Sequence, residues 1–286
     1  KEFKNIILYS SYEELISSKK IDAIYISLPN SYHYKWTKRA LENNIHVICE
    51  KPLTCYFHET KILVELAIKN DLVLMETFQF RFHSQFQKIL KIIRNNEIGK
   101  LRSLKSSFCF PPFIEKNNIR YKRHLGGGSL LDAGCYTIKI AQLVLGEGLQ
   151  VTASSLNKEN DSEVDIWGSI CLEEYKNKIS SFLTFGFDNY YQCNIEIIGQ
   201  SGKLSTNRIF TAPKDYIPSL KLEIGQKNKI LKINSEDQFV KMLEHFYKLI
   251  NNHNVDDLRY LEYSQIKNQA YLIDQVKEKA NKNFLG

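Results

Sequence analysis

Ala23-Ile24-Tyr25-Ile26-Ser27-Leu28-Pro29-Asn30 is an apolar run stopped abruptly by proline and asparagine, the pattern of a short strand buried on both faces of a parallel sheet. A helix over 33–43, a strand over 45–49, a helix over 57–69 and a strand over 72–75 follow at short intervals. This repeated strand-helix-strand order predicts a doubly wound, Rossmann-type parallel sheet. Upstream, Ser10-Ser11 with Glu13-Glu14 marks the start of a short helix. A sheet of this kind opens with a strand, a glycine-rich turn and a helix, and none of the three precedes Ala23, so about 30 residues of strand-turn-helix beginning are expected to be absent from this chain.

Beyond a helix near 86–94 the texture changes. Strand-like segments at 101–110, 149–155, 164–172, 178–186, 191–198, 203–210 and 218–232 follow one another with few helices between, which predicts an α+β domain with a large, open, mostly antiparallel sheet. Its exceptions are a helix over 129–145 and amphipathic helices near 236–252 and 257–280, the first marked by Phe239, Met242, Phe246 and Ile250. The expected division is 1–77 for an incomplete dinucleotide-binding domain and 78–286 for a domain that binds substrate and builds an oligomer.

Composition narrows the class. Hydrophobic residues make up 43% of 286, enough for a sizeable core, and no run of about 18 apolar residues could span a bilayer. The opening Lys1-Glu2-Phe3-Lys4 lacks the apolar stretch of a signal peptide, and the six cysteines are scattered rather than paired at short intervals, so a cytoplasmic protein with reduced thiols is expected. The net charge of +7 is spread among interleaved acids, which argues against nucleic acid and suits either a small anionic ligand or a solvated lysine-rich surface.

Val47-Ile48-Cys49-Glu50-Lys51-Pro52-Leu53 places Lys51 at the carboxyl edge of the sheet, where open α/β folds bind ligands. There an ammonium either supports charge on a carbonyl oxygen or is an ordinary loop lysine before a strand-stopping proline. Gly126-Gly127-Gly128-Ser129-Leu130-Leu131-Asp132-Ala133-Gly134-Cys135-Tyr136 reads as a permissive loop that lets a helix start close to a ligand. Asp132 and Tyr136, four apart, share one helix face, so the tyrosine is either a proton donor or a core residue bonded to its neighbour. Pro29, Asn30 and His33 either line a cofactor groove or form a turn that caps the next helix. Glu76, Arg81 and His83 stand where the first domain gives way to the second, as ligand contacts or as hinge residues. Cys49, Cys55 and His58 match no zinc spacing, so no metal is expected. Neither a Gly-x-Ser-x-Gly elbow nor a kinase motif set is present.

Taken in order, Leu28-Pro29-Asn30 with His33, Cys49 to Leu53, and Gly127 to Tyr136 resemble the motifs of the glucose-fructose oxidoreductase and inositol dehydrogenase (Gfo/Idh/MocA) family over most of the chain. The resemblance implies a Rossmann domain with bound NAD or NADP and a sugar or sugar-nucleotide substrate, in a homodimer or homotetramer that involves neither nucleic acid nor membrane. It implies Lys51, Tyr136 and Asp132 as catalytic residues, and Ser27, Leu28, Pro29, Asn30, His33, Glu50, Lys51, Glu76 and Arg81 around the cofactor. His83, Arg120, Tyr121, Asp132 and Tyr136 are implied around the substrate. Tyrosine at 136 where many members carry histidine, with Glu76-Thr77-Phe78, Asn118-Ile119-Arg120-Tyr121 and Asn207 to Pro213, looks like the branch that reduces keto groups of nucleotide-linked deoxysugars. The rivals are a dehydrogenase of a free sugar or cyclitol, and a non-catalytic protein that keeps the scaffold.

Overall fold

The computed structural model describes residues 6–115, 117–159, 161–251 and 256–282. Its first layer is a parallel sheet in the order β1 (Ala23–Ile26), β2 (His46–Cys49), β3 (Leu74–Glu76). It is crossed by α2 (Asn30–Glu42) and α3 (Phe57–Lys69), with α1 (Tyr12–Ser17) before it. Ser11 caps α1 by accepting from Glu14 N–H, and Glu14 in turn accepts from the backbone N–H and hydroxyl of Ser10. Ala40, Leu41, Val47, Leu63, Val64 and Leu74 are sealed between strands and helices.

The second sheet has eight strands: β4 (Leu101–Cys109), β5 (Leu149–Asn157), β6 (Trp167–Glu174), β7 (Ile179–Gly186), β8 (Gln192–Gly199), β9 (Gly202–Asn207), β10 (Ser219–Ile224) and β11 (Lys227–Lys232). Their spatial order is β11-β10-β9-β8-β4-β7-β6-β5, and every pairing is antiparallel except β4 with β7. The stretch 218–232, read from sequence as one strand, is two strands of a hairpin. Gly225 at φ +56 supplies the backbone freedom for the two-residue turn between Ile224 and Lys227.

Alternation decides which face of this sheet is buried. Leu104 and Phe108, Leu183 and Phe185, and Ile195 and Ile197 point inward and pack with α4 (Ser84–Arg94) and α5 (Cys135–Leu145). The opposite face carries Ser107 and Thr184, hydrogen-bonded at 2.8 Å, a row of Lys105, Glu196 and Lys203, and a Phe182 that is 49% exposed. The apolar residues of 179–185 thus serve the interior, apart from Phe182.

Two helices join the layers. Met242, Phe246 and Leu249 of α6 (Gln238–Asn251) pack on Ile48, Val73 and Met75 of the parallel sheet. Along α7 (Asp256–Lys282), Tyr263 and Ile266 enter the core of the first sheet, and Leu272, Ile273 and Val276 that of the second. A cut at 77/78 in the sequence therefore separates the sheets but not their cores.

Candidate active site

Two short stretches bring the candidate residues together between the layers. The loop after β2 carries Lys51, whose peptide bond to Pro52 is cis. A single wide π-turn at Leu130–Gly134, running directly into α5, carries Asp132. Such turns recur at functional sites. Lys51 Nζ donates to the Asp132 carboxylate at 2.9 Å and to its backbone carbonyl at 2.7 Å, and lies 4.9 Å from the centre of the Tyr136 ring. Arg120 Nε donates to the other Asp132 oxygen at 2.7 Å. Both carboxylate oxygens are thereby engaged, so Asp132 fixes Lys51 and Arg120 rather than the tyrosine hydroxyl.

The electrostatics follow from this packing. Burial alone would push the Lys51 ammonium to release its proton, but Asp132 beside it holds the group above its ordinary range. Burial would likewise favour a protonated Asp132, and Lys51 with Arg120 override it and keep the carboxyl below its usual range. Tyr136 sits among Phe78, Phe80, Phe108 and Phe210, and burial raises its phenol to about 12 against the opposing pull of Lys51. The phenol is protonated at neutral pH, as a proton donor must be. Its only hydrogen-bond neighbour among the described residues is Gln79 Nε2 at 3.5 Å.

The glycines before the π-turn are needed for close approach. A Cβ on Gly126 would stand 2.8 Å from Asn30 Cβ, and one on Gly128, at φ +116, would stand 2.5 Å from Asp165 Oδ1. Asp165 accepts from Ser129 Oγ and Leu130 N–H, each at 2.7 Å, and so fixes the start of the turn. Neither Asp165 nor Gln79 stood out in the sequence, because a lone acid in an apolar strand and a glutamine in an aromatic run show nothing of partners 35 and 57 residues away.

The other expected site residues divide by accessibility. Ser27 is exposed, and Leu28, Pro29, Asn30 and Glu50 are half-buried at the carboxyl edges of β1 and β2, with Asn30 Nδ2 donating to Gly126 O at 2.8 Å. Glu50 accepts from the Tyr25 hydroxyl. A dinucleotide lying along this edge meets accessible backbone, Ser27 and Lys51, so the residues present fit one. His33 is sealed beneath, its Nδ1 2.9 Å from Pro52 O and its Nε2 2.7 Å from Leu28 O, and burial lowers its pKa. Glu76 is also sealed, accepting from Leu53 N–H at 2.9 Å with its other oxygen 3.7 Å from Lys139 Nζ, and burial raises its pKa. Arg81 is paired with Glu262 at 2.7 Å, and His83 caps α4 by accepting from Gln85 N–H. All four are buried and held by contacts within the protein. Tyr121 accepts from Phe113 N–H at 3.2 Å, one residue from Arg120.

A family model described as the oxidoreductase family with an NAD-binding Rossmann fold matches residues 1–78, and one described as the GFO/IDH/MocA C-terminal domain matches residues 86–205. A dTDP-3,4-didehydro-2,6-dideoxy-alpha-D-glucose 3-reductase from Actinomadura kijaniata is 34% identical over 267 residues, 93% of this chain and 79% of the relative. The enzyme of the same name from Streptomyces violaceoruber is 36% identical over 222 residues, 77% of this chain and 65% of the relative. The solved structure of a 3-ketoreductase from Actinomadura kijaniata with NADP and TDP-benzene superposes with a TM-score of 0.88 at 32% identity, covering 95% of this chain and 82% of that one.

Proposed function

The chain belongs to the GFO/IDH/MocA oxidoreductase family and is an NAD(P)-dependent oxidoreductase, and on that premise we propose that it reduces a keto group of a nucleotide-linked sugar. The observation that carries this reading is the placement of a charged Lys51 between Asp132 and the ring of a protonated Tyr136. The names of the relatives support the substrate class.

Reduced nicotinamide, when bound along the strand edge, supplies hydride to the carbonyl carbon. The residues of this chain do the rest. A carbonyl oxygen set against Lys51 and Tyr136 takes the phenolic proton as the C–O bond becomes an alcohol, and the Lys51 ammonium stabilises the negative charge that develops on that oxygen. Asp132 keeps Lys51 charged and aimed. Ser27, Leu28, Pro29, Asn30 and Glu50 line the cofactor edge, and Arg120 and Tyr121 extend the substrate side. His33, Glu76, Arg81 and His83 support these loops from below.

Residues 1–77 carry the cofactor edge and 78–286 the substrate side and an oligomer surface. A homodimer or homotetramer is supported by the uncovered outer face of the eight-stranded sheet with Phe182 half exposed, and a strictly monomeric mass in light scattering would refute it. A cytoplasmic setting is supported by six free cysteines. No helix among the described residues is long and apolar enough to cross a membrane.

The test is turnover of dTDP-linked keto-sugars with NADPH and with NADH, the product identified by mass and NMR. Reduction of the sugar keto group supports the reading. Turnover of free sugars or cyclitols alone, in the oxidative direction, overturns it.

A further inference from the structure

The Tyr136 hydroxyl has one polar side chain at hydrogen-bond distance among the described residues: Gln79, whose Nε2 amide donates to it at 3.5 Å. Gln79 opens a short 3₁₀ turn, Gln79–Phe82, that follows β3 at the crossing from one layer to the other. The turn is fixed on both sides. Thr77 N–H donates to Cys49 O at 2.9 Å, and Arg81 is paired with Glu262 at 2.7 Å. Phe78 and Phe80, which flank Gln79, are fully buried and pack on the tyrosine ring at 5.3 and 6.1 Å between centres. Gln79 itself is 7% exposed. An amide buried among aromatic rings costs stability unless it is hydrogen-bonded, and the hydrogen bond that this side chain makes among the described residues is the one to Tyr136.

Resting on the ketoreductase reading above, we propose that Gln79 is a positioning residue for the proton donor: its amide sets the direction of the Tyr136 hydroxyl and stabilises the phenolate that proton transfer leaves. Donors and acceptors fix the direction. An amide nitrogen and an ammonium both donate and neither accepts. The Gln79 nitrogen and the Lys51 ammonium, 4.9 Å from the ring centre, therefore offer the phenolic proton no partner, and Phe78, Phe80, Phe108 and Phe210 surround the ring with carbon. With Gln79 on a lone pair of Oη, the proton is left for an oxygen that enters beside Lys51. In the transfer the carbonyl carbon takes hydride from reduced nicotinamide, the phenolic O–H bond breaks as the alcohol O–H bond forms, and the phenolate is reprotonated from water. Throughout, Gln79 keeps donating to Oη, and a hydrogen bond to an anion is stronger than one to a neutral oxygen. The acidity of the phenol responds in the same sense, since burial raises its pKa while Lys51 and Gln79 pull it down.

Two variants of similar bulk test this. Gln79→Leu removes the donor, and Gln79→Glu replaces it with a carboxyl that donates only while protonated. Turnover of a dTDP-linked keto-sugar with NADPH is followed from about pH 5 to about pH 10, the range in which a buried carboxyl ionises, beside a thermal melt. Gln79→Leu should lower kcat roughly 10- to 100-fold with KM little changed, because the lost bond counts most once charge forms on Oη. Gln79→Glu should approach the wild-type kcat at low pH and lose it as the new carboxyl ionises and accepts the phenolic proton, a limb that the wild type should lack. If Gln79→Leu does not fold, the pH profile of Gln79→Glu decides alone. A wild-type kcat in Gln79→Leu, or a Gln79→Glu profile parallel to that of the wild type, makes Gln79 a core residue and overturns the inference while the ketoreductase reading stands. A wild type that turns over only free sugars or cyclitols, in the oxidative direction, overturns that reading and the inference with it.

Discussion

Two clusters of opposite charges differ in what they face. In one, Lys51, Asp132 and Arg120 stand at the cleft with side-chain exposures of 11%, 18% and 37%. In the other, Arg81, Glu262 and His245 join α6 and α7 to the loop after β3, next to the pair Glu76 and Lys139, and Arg81, Glu262, Glu76 and Lys139 are all below 10% exposed. The first cluster leaves donors for a ligand. The second is closed on itself, with Lys139 also donating to Gln265 O at 3.3 Å. Similar residue types thus give a partly accessible cluster in one place and a sealed joint in the other.

The largest expected effect breaks the cleft cluster. Tyr136→Phe keeps the ring among its four phenylalanines and removes only the proton, so kcat should fall by about 10²- to 10⁴-fold, with cofactor affinity little changed. Lys51→Ala should lower turnover at least as far and weaken cofactor binding as well. Steady-state kinetics beside a thermal melt checks both. A near-normal kcat with a lowered melting temperature would move Tyr136 into the core class.

The joint should respond the other way. Glu262→Gln leaves the Arg81 charge sealed without its partner, and a loss of about 3–5 kcal/mol in denaturant unfolding is expected. Acid should reach the same group. Glu262 is buried, which alone would raise its pKa, but Arg81 and His245 lower it from 4.5 to about 2. A depressed carboxyl contributes stability that is present above its unfolded value, so unfolding free energy should fall as pH drops from about 4.5 towards about 2. That fall should be shallower in Glu262→Gln.

Smaller is the expected effect of Gly128→Ala. It forces a left-handed backbone on a side chain 2.5 Å from Asp165, with an expected loss of roughly 1–3 kcal/mol. Since this loop positions Asp132, its KM should rise too, whereas damage at the joint should appear in stability first.

The finest test uses Lys139, whose pKa burial lowers from 10.5 to about 8 despite the nearby Glu76. Between those values the folded protein binds fewer protons here than the unfolded chain, so this lysine makes stability rise with pH, on the order of 1 kcal/mol per unit just above pH 8. Comparing wild type with Lys139→Met isolates that slope from other groups. Equal slopes would place Lys139 in water.

Much of this was legible in the sequence. Apolar runs ended by Pro29 and by Lys51-Pro52 placed the parallel strands, and period-two segments after 101 placed the antiparallel ones. The four-residue spacing of Asp132 and Tyr136, and Lys51 at a strand end, pointed to three residues that the fold brings together. Accessibility was not legible. His33, Glu76, Arg81 and His83 stand beside motif residues, yet the partner that closes off Arg81 lies 181 residues later, and no local pattern announces it. Arg120 shows the limit from the other side, since its contact with Asp132 crosses a loop of irregular backbone that sequence periodicity does not describe.

The passage of α7 through both cores has a consequence for the order in which the protein is made. Tyr263 and Ile266 complete one core and Leu272, Ile273 and Val276 the other, and α7 leaves the ribosome after every other described element. β4 waits as well, because its partners β7 and β8 are synthesised some 70 residues or more after it. Neither layer can close by local contacts alone, so folding is expected to be slow in the manner of high-contact-order folds and dependent on protection of the unfinished sheet.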